Sequence, residues 1–196
     1  ETGTGIPVLR TTNFTDNGVI DYTDVVKRSI NKEKVLNKFL RKGDIIIEKS
    51  GGAPNKPVGR VVYFEGEENR YLFNNFTSVL RVNNPLCDPK YLFYILYFKY
   101  KKGYTWAFQN KTTGIANLKL QKFITETEVT IPSMKEQKRR VNSLDKTQEI
   151  IDGYKKQLVE LDNLIMAVFY ELFGNPVTND KGWETKLLAD VAPLME

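Results

Sequence analysis

The sequence predicts an α+β fold: a mixed α/β globule over residues 1–133, a long coiled-coil-forming α-helix at 134–173, and a tail at 174–196. Three observations predict it. Ile45-Ile46-Ile47, reached through Gly43-Asp44, is a β-branched run too short for a helix and suited to a buried strand. Asp88-Pro89 opens a helix of about a dozen residues through Tyr100, with the proline in its first turn. From Met134 to Phe173 no proline interrupts a helical pattern of about 40 residues, nearly 60 Å at 1.5 Å per residue.

The other elements follow in chain order. Asn17-Gly18, both tolerant of positive φ, predicts a tight turn between strands at 8–11 and 19–22. Ser29 is a candidate cap for a short helix over 30–40, with Val35, Leu36 and Phe39 on one face. Residues 50–59 are rich in Gly and Pro and predict a surface loop. Strands are expected at 60–64 and 77–82, a polar aromatic loop at 104–114, a short helix at 118–123 and a last strand at 128–131. In the long helix, Leu144, Thr147, Ile151, Tyr154, Leu158, Leu161, Ile165, Val168 and Leu172 alternate by three and four, a heptad seam over four repeats. Such a helix overhangs a globule roughly 30 Å across and wants a helical partner. Gly153 costs it roughly 1 kcal/mol relative to Ala, and Gly174-Asn175-Pro176 stops it.

Composition excludes more than it assigns. The 196 residues contain no histidine and one cysteine, Cys87. Thiolate–imidazole zinc sites, His-dependent catalytic triads and internal disulfides are therefore out of reach. Sparse cysteine predicts a reducing, cytoplasmic setting with Cys87 as a buried apolar filler. No apolar run approaches the roughly 20 residues of a membrane helix. The net charge of +5 is unevenly spread: residues 1–133 carry +7, 134–173 carry zero and 174–196 carry −2. The globule is thus the part suited to a polyanion.

The loops suit binding better than catalysis. The Ser50–Arg60 stretch lacks both the P-loop ending and dinucleotide glycine spacing. Glu136-Gln137-Lys138 and Glu184-Thr185-Lys186 resemble nuclease triplets but lie in a helical turn and a polar tail, without convergent carboxylates. Lys49, Lys56 and Arg60 bracket bare glycines and, with Lys111, are expected at phosphates. Arg10, Thr12, Asn13, Gln109 and Asn110 are expected at base edges, since Arg and the amides match purine edges in the major groove.

Taken in order, several segments resemble the specificity subunit of type I restriction–modification systems. They are Gly5-Ile6-Pro7-Val8-Leu9-Arg10-Thr11-Thr12-Asn13, Leu40-Arg41-Lys42-Gly43-Asp44-Ile45-Ile46-Ile47, the Ser50-Gly51 loop ending Val58-Gly59-Arg60, Asn74-Asn75-Phe76, Thr113-Gly114-Ile115-Ala116-Asn117-Leu118 and Val129-Thr130-Ile131-Pro132-Ser133-Met134-Lys135-Glu136-Gln137. The resemblance implies a target recognition domain reading one half of a bipartite duplex DNA site, and a spacer helix that docks modification subunits. It places methylation, with its S-adenosylmethionine, and cleavage on partner modification and restriction subunits, so no catalytic residue, metal or cofactor is expected here. The family's Trp-bearing opening segment has its counterpart at Gly182-Trp183-Glu184-Thr185-Lys186-Leu187-Leu188-Ala189-Asp190-Val191, resembling the start of a second repeat. The chain thus reads as a half-subunit or fragment, its tail expected to dock on a recognition domain, its own or a partner's. The expected assembly is a homodimer through Ile151, Tyr154, Leu158, Leu161, Ile165, Val168 and Leu172. The rival reading is a coiled-coil scaffold whose basic globule binds another protein.

Overall fold

The computed structural model describes residues 4–52, 55–112, 115–192 and 194, without the side chains of Lys111 and Thr112. The elements are β1 (Ile6–Leu9), a 3-10 turn (Thr11–Asn13), β2 (Val26–Arg28), a 3-10 helix (Lys32–Lys38), β3 (Ile45–Glu48), β4 (Ser50–Gly51), β5 (Val61–Tyr63), β6 (Leu72–Phe73), β7 (Thr77–Leu80), α1 (Pro89–Lys101), a second 3-10 helix (Tyr104–Phe108), β8 (Gln109–Thr112), β9 (Ile115–Leu118), α2 (Leu120–Glu126), α3 (Met134–Phe173) and α4 (Leu188–Val191). The strands form three small sheets, ordered β2-β1-β6, β5-β3-β7 and β4-β9-β8. All neighbours are antiparallel except β1 and β6. The mixed α/β class and the long helix are as the sequence predicts.

The chain divides into two compact units, Glu1–Ser143 and Leu144–Glu196. The centre of the first is β3, buried throughout. Ile45 and Ile47 pack with Phe93 and Leu96 of α1 and with Phe108, Ala116, Leu118 and Phe123. Ile46 joins Leu9, Phe14, Leu40, Val62 and Phe64 in a second cluster. Two apolar faces explain why the run is β-branched without polar alternation. Asp88 caps α1 as expected, its Oδ1 accepting from Tyr91 N–H at 2.9 Å.

Several local expectations change. The Asn17-Gly18 turn forms, but only Gly18 takes a positive φ, and the flanking residues make a single Phe14–Ile20 bridge. β1 pairs instead with β2 and β6 on its two edges, while Val8 and Leu9 point to different apolar clusters on its two faces. The 30–40 helix shrinks to a 3-10 helix capped by Asn31, which accepts from Glu33 N–H at 3.0 Å. Phe39 is buried there, while Leu36 is exposed. The 50–59 loop is not superficial throughout: Ser50 and Gly51 form β4, and Val58 is fully buried. A Cβ at Gly59, φ +100°, would lie 2.7 Å from Thr105 Cγ2, so only glycine fits that approach. Over 104–112 the expected loop is instead a 3-10 helix followed by β8, its last two residues, 113 and 114, lying outside the described residues, and 115–118 is strand with the helix starting at Leu120. No strand forms at 128–131. Tyr91 Oη bonds the Thr130 carbonyl at 3.1 Å, so a side chain holds that segment instead of a ladder.

The first turns of α3 belong to the first unit through Gln137 and Val141, both buried. Gln137 is 0% exposed. Its Oε1 accepts from Asp88 N–H at 2.8 Å, and its Nε2 donates to the Leu86 and Pro132 carbonyls, each at 2.8 Å. One amide thereby ties the start of α3 to the start of α1.

In the second unit the end of α3 is closed by the residues after it. Gly174, φ +73°, donates its N–H to the Tyr170 carbonyl. Lys181 Nζ donates to the Glu171 and Leu172 carbonyls, and Trp183 Nε1 to that of Phe173 at 3.0 Å. These contacts satisfy carbonyls a helix end leaves open and set a cation against the negative end of its dipole. Trp183 remains 60% exposed, and Leu187, Leu188 and Val191 are exposed as well. Within the second unit these residues cap the helix that precedes them.

Gln137→Ala would remove the partner of three part-buried backbone groups, each worth up to about 1–3 kcal/mol. Urea unfolding should show a loss of at least about 2 kcal/mol, with Gln137→Glu no better because it removes both donated bonds.

Candidate nucleic-acid interface

Elements of the first unit enclose a groove of about 660 Å³. Arg10, Arg28, Lys38 and Lys49 line it with Asn74, Asn75, Phe76, Thr77 and Ser78, and Val8, Ile30, Val35, Leu72 and Phe73 supply its apolar part. Each cation arrives on a different element: Arg10 follows β1, Arg28 ends β2, Lys38 ends a 3-10 helix and Lys49 joins β3 to β4. Among the described residues no carboxylate lines the groove. Among the described residues, Arg28, Lys38 and Lys49 have no ion-pair partner. Arg10 meets the exposed Asp24 at 3.5 Å. Four converging cations, three of them without an ion-pair partner among the described residues, are an arrangement suited to a polyanion backbone.

The residues expected from sequence separate into two sets. Arg10 and Lys49 line the groove, and Thr12 is exposed beside it in sequence. Asn13 is buried: its Nδ2 donates to the Asp21 and Asp24 carbonyls and its Oδ1 accepts from Arg10 N–H, which leaves it nothing for a base. Arg60 is likewise turned inward. Its Nη1 and Nη2 donate to the Phe14 and Thr11 carbonyls, both at 2.9 Å, it lies over the Phe14 ring, and Nη2 is 3.6 Å from Glu48 Oε1. Gln109 accepts from Val58 N–H at 3.1 Å. Because Gln109 and Asn110 lie on a strand rather than a loop, alternation sends them to opposite faces, and Asn110 is the exposed one. Lys56 is exposed and paired with Asp16 at 2.9 Å, which lowers the Asp16 carboxyl. The Lys111 side chain lies outside the described residues.

Sequence reasoning missed Arg28, Lys38 and Ser78, whose only signal was basic or polar character at element ends. Asn74-Asn75 was singled out only as part of the family resemblance, with no binding role assigned.

No catalytic chemistry gathers among the described residues. They contain no group of three metal-ligating side chains, and no described helix is long and apolar enough to cross a membrane. Glu136 bonds Arg139 and Arg140, each at 2.7 Å, which holds its carboxyl down to about 2. Cys87 is only half-buried rather than a core filler, and burial, then the Asp88 charge, pushes its thiol up, away from the thiolate.

On α3, Ile151, Tyr154, Leu158, Leu161, Ile165, Val168 and Leu172 are exposed in the chain. Leu164, Phe169 and Phe173 are exposed too, so the band near the C-terminal end is broader than a two-residue heptad seam.

A family model for the type I restriction modification DNA specificity domain matches residues 2–163. The chain belongs to this family. It is a family of specificity subunits, which are non-catalytic. A protein of Methanocaldococcus jannaschii named as a type I restriction enzyme specificity subunit is 22% identical over 192 residues, 95% of this chain and 43% of that protein. A chain from a structure describing complex assembly and conformational transition of a type I restriction–modification system matches with a TM-score of 0.58 at 19% identity, over 85% of this chain and 36% of that one. This type I specificity chain therefore spans less than half the length of either relative.

Burial raises the Glu48 carboxyl above its usual value of 4.5, against the lowering effect of Arg60. A raised acid contributes stability that is present below the unfolded value and lost as pH rises through the folded one. Relative to Glu48→Gln, the wild-type chain should therefore gain stability as pH falls from 7 toward 4.5, read as the difference between thermal melting curves.

Proposed function

We propose that this chain reads one half of a bipartite duplex DNA target and holds modification subunits through its long helix. The observation that carries the DNA reading is the groove whose described lining holds Arg10, Arg28, Lys38 and Lys49 and no acid. Phosphates neutralised there anchor the duplex without regard to sequence, and exposed polar side chains nearby test the bases. Methyl transfer from S-adenosylmethionine and strand cleavage are left to modification and restriction partners, in a cytoplasmic complex.

The test is binding of the purified chain to duplex DNA across a salt series. Affinity should fall steeply with salt, and Arg28→Ala, Lys38→Ala and Lys49→Ala should each flatten the logarithmic slope by up to about 0.9 while weakening all sequences alike. Lys56→Ala should change it less, since Asp16 already neutralises Lys56. Absence of binding at low salt would favour the scaffold reading, in which the globule meets a protein.

The apolar band of α3 supports assembly through helices. We infer an antiparallel pairing of two copies for the isolated chain. Leu158→Asp with Leu161→Asp should convert a dimer to monomers in sedimentation velocity at tens of micromolar; a monomeric wild-type chain at that concentration would exclude the pairing.

A further inference from the structure

We propose that Asn117 is a base-reading residue, oriented by Ser50 and paired with Asn110, and that its amide donates to a purine edge in the major groove. The proposal rests on the DNA-reading function above and names where sequence is read.

The register of the β4-β9-β8 sheet sets Ser50 opposite Asn117 and Asn117 opposite Asn110. Residues directly opposed across strands share a face, so the three form one transverse polar row. The neighbours of Asn117 along β9, Ala116 and Leu118, are buried in the core, which assigns the row to the outward face. Strands about 4.8 Å apart make the row about 10 Å wide. A major groove about 12 Å wide admits a two-stranded ribbon, here β9 and β8, which carry Asn117 and Asn110.

Ser50 Oγ donates to Asn117 Oδ1 at 2.7 Å. This fixes the amide plane and leaves the Nδ2 hydrogens to donate. Among the described residues, neither Asn117 Nδ2 nor the exposed Asn110 amide has a hydrogen-bond partner. A donor held in place suits the N7 or O6 acceptors of a purine.

The row begins where the cationic groove ends. Lys49 lines the groove and precedes Ser50, and the backbone N–H groups of both donate to the Phe76 carbonyl, at 2.8 and 3.2 Å. Phosphates held at Lys49 therefore bring base edges to the next residues along the same backbone.

The experiment selects bound duplexes from a random pool with the full chain, then compares wild type with Asn117→Ala, Asn117→Ser, Asn110→Ala and Ser50→Ala. Each variant's fold is checked by circular dichroism. Loss of the Asn117 amide should relax preference at one or two adjacent positions by roughly 5- to 150-fold, with affinity for the unselected pool within about twofold of wild type. Ser50→Ala should relax the same positions less. Replacing the selected purine by its 7-deaza analogue should weaken wild type by a similar factor and leave Asn117→Ala unchanged. Wild-type selection that survives unaltered in both Asn117 variants would overturn this proposal alone. Failure of the wild-type chain to bind duplex DNA at low salt would overturn the proposed function and this inference with it.

Discussion

A carboxylate closes the central strand of this protein, and much of the first unit is arranged to answer it. Glu48 ends β3 in the interior, where water cannot solvate it and where burial raises its carboxyl. Arg60 is the cation that reaches it, and Arg60 also bonds the Thr11 and Phe14 carbonyls and lies over the Phe14 ring. One guanidinium thus links the end of β3, the start of β5 and the turn after β1. An arginine suits this work because its planar fork offers several donors in fixed directions. Asn13 bonds the same turn from the other side, so Arg10 is delivered to the groove by a backbone braced on both flanks.

That arrangement separates structural polarity from available polarity. Arg60, Asn13 and Gln109 spend their hydrogen bonds on backbone inside the domain. Arg28, Lys38 and Lys49 keep theirs for whatever enters the groove. The difference has a simple physical source. A polar side chain carried inward must be satisfied within the protein, and once satisfied it has little left to offer a ligand.

The long helix presents a second contrast between its two ends. At the start, Gln137 fixes the helix to the first turn of α1 through three hydrogen bonds in a fully buried setting. Toward the other end lies an apolar band from Leu161 to Phe173 that the chain leaves exposed. The assembly through helices proposed above would cover that band.

The sequence by itself determined the features that rest on local periodicity or local chemistry. These are the Ile45–Ile47 strand, the Asp88-Pro89 helix start, the full extent of α3, the Gly174 stop and the family. Each depends on spacing within a few residues or on a motif read in order. Arg10 and Lys49 were legible as candidate contacts because they flank turn-rich segments in the basic part of the chain. What only the tertiary structure decided was which polar residues remain open. Arg60 and Lys49 look alike in sequence, yet one is consumed by Glu48 and two carbonyls while the other lines the groove. Gln109 and Asn110 are neighbours, yet the pairing of β8 with β9 sends one toward Val58 and the other outward. Arg28 and Lys38 gave no signal beyond their basic character at element ends, because their groove is made by β1, β2, β6 and the 3-10 helix meeting across long sequence separations. Hydrogen bonds between distant segments set that partition, and no window of sequence contains both partners.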